Sequence, residues 1–146
     1  AARILQRPKE AEKPRVVSSG KRPEKGSGTI LVVDDEEYIL NADKAMLNEL
    51  GYEVLLANGG KEALRVFDEN KDRINLLILD LIMPDLSGEI VYDRIKSLRP
   101  DIRVILSSGY SIEGQAESIL KRGCDGFIQK PYNLNQLADK IKRILA

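Results

Sequence analysis

The sequence has no histidine and a single cysteine among its 146 residues, and these two scarcities exclude a good deal. Without histidine the chain can build no Ser-His-Asp triad, no His-ligated metal site and no phosphohistidine of its own. A lone Cys124 can close no internal disulfide and form no Cys-rich zinc site, so it reads as a small packed apolar residue. No apolar stretch approaches the roughly 20 residues that a membrane span requires. The first residues are charged and interrupted by proline, unlike a signal peptide. The expectation is a soluble, cytoplasmic protein of a reducing compartment, with no membrane contact.

Charge of one sign is not in excess, since 23 basic residues balance 23 acidic ones. The balance hides a division. Residues 1–28 carry eight Lys/Arg and three Glu, and residues 29–146 carry fifteen and twenty, so a basic tail precedes an acidic body. The tail also holds half of the six prolines (Pro8, Pro14, Pro23) and little that could be buried. It reads as a flexible basic linker over residues 1–28, because such a composition cannot offset its ordering entropy with apolar contacts. It lacks the interleaved aromatics of a nucleic-acid binder, and no nucleic-acid partner is expected.

From Thr29 the pattern changes. Ile30–Val33, Val54–Ala57, Leu76–Leu79, Val104–Leu106 and Phe127–Ile128 are short, continuous apolar runs. Runs without alternation suit strands buried on both faces, hence a parallel sheet covered by helices. The segments between them read as helices: 36–50 with a stripe of Ile39, Ala42, Met46 and Leu50; 60–69 with Ala63, Leu64 and Phe67; 88–98 with Ile90, Val91, Ile95 and Leu98; 113–122 with Ala116, Ile119 and Leu120; 133–145 with Leu134, Leu137, Ile141 and Ile144. Gly51 and Gly123 stop two of them, and Pro100 ends a third. In Asn58-Gly59-Gly60, a strand-to-helix turn, glycine is expected to serve backbone geometry. Five strands alternating with five helices in residues 29–146 predict an open α/β domain and not an eight-stranded barrel.

In open α/β sheets ligands bind beyond the carboxyl ends of the strands, where the strand order reverses. For the common order 2-1-3-4-5 that point lies between strands 1 and 3, the two that end in acids: Asp34-Asp35 and Asp80. Ser107-Ser108 ends strand 4, and Lys130 ends strand 5. Three converging carboxylates repel one another unless a cation lies among them. With all-oxygen ligands, the ion expected is a hard one such as Mg²⁺, which suits phosphoryl transfer. Taken singly these residues have ordinary uses. Paired acids after a strand cap the next helix, and Lys130-Pro131 and Ser108-Gly109 are common turn pairs. The argument rests on their convergence at one sheet edge. No Gly-rich phosphate loop follows strand 1, where Asp34-Asp35-Glu36-Glu37 would repel a nucleotide.

Three segments resemble one known family: Leu31-Val32-Val33-Asp34-Asp35-Glu36, the run Leu77 to Gly88 (LILDLIMPDLSG), and Phe127-Ile128-Gln129-Lys130-Pro131-Tyr132. They look like the receiver (response-regulator) domain of two-component signalling, over about residues 29–146. The resemblance implies a flavodoxin-like, doubly wound, five-stranded parallel sheet of order 2-1-3-4-5 with five helices. It also implies that Asp80 is the phosphoacceptor in a Mg²⁺-dependent reaction. Asp35 would bind the ion directly and Asp34 mainly through water, with Asp80 and the backbone carbonyl of Ile82 as further ligands. Lys130 would contact the phosphoryl group, before a cis bond to Pro131. Ser108 and Phe127 would be the switch pair, Ser replacing the commoner Thr and Phe lacking the hydroxyl of Tyr. The domain would promote its own phosphorylation and dephosphorylation, and its partner would be a histidine kinase or a histidine phosphotransfer domain.

The segments Val104 to Ser111 and Gly123 to Phe127 further resemble receivers at the C-terminus of bacterial hybrid sensor histidine kinases. A stand-alone or truncated response regulator is the alternative. An aspartyl-phosphate phosphatase would commonly need a second acid two residues after Asp80, where Ile82 stands. A module that had lost phosphorylation would lack the acceptor or the lysine, and both are present.

Overall fold

The computed structural model describes residues 26–109 and 114–146. The expected linker lies outside the described residues up to position 25. So does the segment 110–113, which takes in Tyr110 and the first residue of the fourth expected helix.

Each apolar run forms a strand: β1 (Thr29–Val33), β2 (Glu53–Ala57), β3 (Leu76–Asp80), β4 (Arg103–Ser108) and β5 (Gly126–Gln129). The helices are α1 (Glu37–Glu49), α2 (Gly60–Asn70), α3 (Gly88–Leu98), α4 (Gln115–Lys121) and α5 (Leu134–Leu145). All pairings are parallel and the order is β2-β1-β3-β4-β5, as expected. Alternate residues of each strand feed opposite faces of the sheet. Leu31, Val33, Leu77, Leu79, Val104, Leu106 and Phe127 meet α2, α3 and α4 on one face. Ile30, Val32, Leu76, Ile78, Ile105 and Ile128 meet α1 and α5 on the other. The central strands β1 and β3 are buried throughout, whereas edge strand β2 is only half-buried.

Two helices face the core differently from the sequence-level expectation. In α1 the buried stripe is Leu40, Asp43 and Leu47, one residue later than Ile39, Ala42 and Met46; Leu50 follows as the buried C-cap. A carboxylate in the seam made the true stripe look solvated, and the neighbouring apolar stripe looked like the core. In α3, Ile90 and Leu98 are exposed, and Tyr92 packs with Val91 and Ile95. The Gly59-Gly60 turn also differs in cause. Gly59 is extended, a conformation open to any residue, and what requires glycine is close approach: a Cβ at Gly60 would lie 2.6 Å from the Leu86 Cβ.

The chain enters at the amino edge of the sheet. The Gly26 N–H donates to the Leu50 carbonyl (2.7 Å), Gly26 lies so close to the Tyr52 ring that a Cβ would overlap it, and the Thr29 N–H donates to Asn75 Oδ1 (2.8 Å). The end of α5 returns to the same edge, where the Arg103 guanidinium reaches the Ile144 carbonyl and Gly126 packs on the Ile144 side chain. No helix among the described residues is long and apolar enough to cross a membrane.

Candidate functional site

From β1 the chain turns through α1 to β2 on one side, then crosses to β3 on the other, so β1 and β3 diverge at their carboxyl ends. The acids meet in that crevice. Asp34, Asp35 and Asp80 each offer a carboxylate oxygen within 4.8 Å of the others. Asp34 and Asp80 are buried and Asp35 is exposed, so the cluster has a dry floor and a wet lip. Asp34 also serves locally, accepting the Glu36 N–H at 2.9 Å and so organising the turn into α1, whose N-cap residue Glu36 makes no side-chain cap of its own. The helix-capping use and a place in the cluster therefore coexist in one residue.

Lys130 completes the electrostatics. Its ammonium donates to Asp34 Oδ2 at 2.7 Å and lies 3.5 Å from Asp80 Oδ1. Burial works against that charge, but Asp34 and Asp80 together hold the lysine above its ordinary pKa. Burial first, then the charge of Asp34, pushes Asp80 up to about 7, against the opposing pull of Lys130 and of the Ile82 N–H. The Lys130 N–H donates to the Ser108 carbonyl at 2.8 Å, which ties the end of β5 to the end of β4. The Lys130–Pro131 bond is cis.

An open cavity of about 770 Å³ lies over this crevice, bordered by Asp35, Asp80, Ile82, Ser108 and Lys130 on one side and by Ile39, Ala42 and Met46 of α1 on the other. Ile82 projects outward, 59% exposed, while its N–H lies 3.4 Å from Asp80 Oδ1. Phe127 is not at the cavity. It is buried beside Leu106 in the core under α3 and α4. The structure thus gathers Asp34, Asp35, Asp80, Ile82, Ser108 and Lys130, and sets Phe127 on β5, with β4 between it and the strands that carry the acids.

Several supporting residues have no role in the sequence reasoning, although Asp85, Gly88 and Tyr132 lie within the motif runs. Gly88 lets the start of α3 lie against the end of β3, since a Cβ there would come within 2.6 Å of the Asp80 carbonyl oxygen and the Leu81 Cα. Asp85 accepts the N–H groups of Gly60 and Lys61, both at 3.0 Å, which joins the β3–α3 loop to the start of α2 and holds the Asp85 carboxyl below its usual pKa. Asp43, buried in α1, accepts the Tyr132 hydroxyl at 2.7 Å. Only the odd spacing of a lone acid inside an apolar seam could have pointed to it.

The all-oxygen cluster, half-buried and open on one lip, fits a hard divalent cation that keeps part of its water. A doubly wound parallel sheet with three acids and a lysine gathered at its switch point defines a class of small α/β domains. The chain belongs to the response regulator receiver domain family, whose profile it matches over residues 30–142. It is 32% identical to the sensor kinase CckA of Brucella abortus over 142 residues, which is 94% of this chain and 15% of that protein. It is 38% identical to the autoinducer 1 sensor kinase/phosphatase LuxN of Vibrio harveyi, over 76% of this chain and 13% of that protein. The chain thus spans about one seventh of the length of these relatives. Among solved structures, a receiver domain protein from Clostridium thermocellum superimposes with a TM-score of 0.77 at 36% identity, covering 81% of this chain and 94% of that one. The response regulator TrrA of Thermotoga maritima, solved in complex with Mg²⁺ and BeF, gives 0.72 at 36% identity over 81% and 99%.

Proposed function

We propose that this domain accepts a phosphoryl group from a partner's phosphohistidine onto Asp80, in a Mg²⁺-dependent reaction. The observation that carries the reading is the meeting of Asp34, Asp35, Asp80 and Lys130 under one open cavity. An Asp80 carboxylate oxygen attacks phosphorus, the O–P bond forms as the P–N bond breaks, and the electron pair stays on the departing imidazole nitrogen. Lys130 moves its charge from the Asp pair toward the arriving phosphoryl oxygens, and the Ser108 hydroxyl offers them a neutral donor. Asp34, Asp35, Asp80 and the Ile82 carbonyl would hold the ion, which neutralises the gathered negative charge when bound. Ionised Asp80 is the reactive form. Its raised pKa is therefore a barrier that a nearby cation removes.

The partner is a histidine kinase or a histidine phosphotransfer domain, and the parent is a hybrid sensor histidine kinase. Support for the parent comes from the CckA match, which covers 94% of the chain and so must run into the segment before Thr29. Residues 29–146 are the receiver, residues 1–28 its linker, and the location is cytoplasmic. Phosphorylation draws Ser108 inward and lets Phe127 repack, which changes the surface of α4, β5 and α5. Intact-mass measurement after incubation with phosphoramidate and Mg²⁺ tests the central claim. One base-labile phosphoryl group is expected on the parent and none on Asp80→Asn. Equal uptake by that variant would overturn the assignment.

A further inference from the structure

Asp43 is the one charged residue on the buried face of α1, between Leu40 and Leu47, and is 2% exposed. A carboxylate is a costly choice there, and an apolar residue would serve the helix better. Fold stability therefore does not account for it.

Its hydrogen bond does. The Tyr132 hydroxyl donates to Asp43 Oδ2 at 2.7 Å, across from the segment that joins β5 to α5. Beside the Lys130 ammonium contacts with Asp34 and Asp80, that segment, Lys130 to Asn133, is held at three further points. At its start the Lys130 N–H meets the Ser108 carbonyl (2.8 Å). At its end Asn133 and Gln136 exchange hydrogen bonds (2.8 and 2.9 Å) that open α5. The middle anchor is the Tyr132–Asp43 bond, which crosses to α1 and lies on the wall of the same cavity that Lys130 and Asp80 line. Burial keeps the tyrosine protonated, so it remains the donor, and the bond is charge-assisted whenever Asp43 is ionised.

We infer that Asp43, acting through Tyr132, is a positioning residue that holds the Lys130 segment in register with Asp80. The inference rests on the receiver reading of the site. α1 and the β5–α5 segment are separate elements with no strand pairing between them; apolar packing brings them together, and this bond adds the directional contact that fixes their register where the lysine must meet the incoming group. Asparagine at 43 keeps an acceptor for the tyrosine, leucine does not, and phenylalanine at 132 removes the donor while leaving the ring.

The test compares Asp43→Asn, Asp43→Leu, Tyr132→Phe and the Asp43→Leu/Tyr132→Phe double variant of the full chain. The rate of Asp80 phosphorylation by phosphoramidate with Mg²⁺ should fall about tenfold in Asp43→Leu and Tyr132→Phe, the scale of one lost charge-assisted hydrogen bond. It should fall no further in the double variant and stay within about twofold in Asp43→Asn. The double variant, which leaves no tyrosine hydroxyl without its acceptor, should melt near or above the parent temperature while reacting more slowly, a divergence that a merely structural role cannot produce. Folded single variants that react at the parent rate, or losses that multiply in the double variant, would overturn the inference. The ¹⁵N resonance of the Lys130 ammonium gives a readout independent of chemistry, expected to move in Tyr132→Phe and Asp43→Leu and to hold in Asp43→Asn. A parent that takes up no phosphoryl group would overturn the receiver reading instead, and the resonance alone would then decide the positioning: moved, it stands; unmoved, it falls.

Discussion

Replacing Asp80 by asparagine should stabilise the metal-free protein, and by an amount that depends on pH. Burial and Asp34 raise the folded-state pKa of Asp80 from 3.8 to about 7. A raised carboxyl pKa means that the folded state binds the proton more tightly than the unfolded one. Its contribution to stability is therefore complete below about pH 4, declines as pH rises, and is gone above about pH 7. The whole span corresponds to about 4 kcal/mol, and the part between pH 5 and pH 8 to about 3 kcal/mol. Asparagine fills the same volume without that charge, and Lys130 keeps its 2.7 Å bond to Asp34. Urea unfolding in EDTA should therefore show the advantage of Asp80→Asn widening by about 3 kcal/mol from pH 5 to pH 8. Asp43, raised by burial to about 6, titrates in both proteins and cancels from the difference. Millimolar Mg²⁺ at pH 8 should shrink the gap by relieving the parent. Parallel pH curves, or a gap that narrows toward pH 8, would refute the electrostatic account of the crevice.

Three further outcomes follow from the same geometry. Mg²⁺ at about ten times its dissociation constant should stabilise the parent by about 1.4 kcal/mol, and thermal unfolding of Asp35→Ala should show most of that gain lost. Gly88→Ala should cost about 1–3 kcal/mol in denaturant unfolding, because its Cβ would press on the Asp80 carbonyl and the Leu81 Cα, whereas Gly109→Ala, whose Cβ would meet nothing within 4 Å among the described residues, should be close to neutral. Adding beryllium fluoride with Mg²⁺ should move amide resonances from Ser108 through α4 to Phe127 and β5; changes confined to the Asp80 crevice would remove Phe127 from the switch.

The sheet was legible because its inner strands are buried on both faces, and nothing but unbroken apolar runs such as Leu76–Leu79 suits that environment. The crevice was legible for a related reason: strand ends are easy to locate, and topology then decides which ends meet. Helix faces were less so. In α1 two apolar stripes lie about 100° apart, and Asp43 disguised the buried one. Contacts that depend on three-dimensional proximity between distant loops, as Asp85 makes with Gly60 and Tyr132 with Asp43, leave no periodic trace in a sequence.

Both described ends of the chain lie at one pole of the domain, at Gly26 against Tyr52 and at Ile144 beside Arg103, and the acid crevice lies at the other. Mechanically, the domain hangs from its back. A segment leaving Gly26 or Ala146 starts out behind the sheet, on the side away from the mouth of the Asp80 crevice. A load drawn through these ends acts on the starts of the strands and not on the loops that carry the acids, so pulling on the domain should disturb its footing before its mouth. Splicing the domain at Gly26 and Ala146 into a longer polypeptide therefore requires no rearrangement around the crevice.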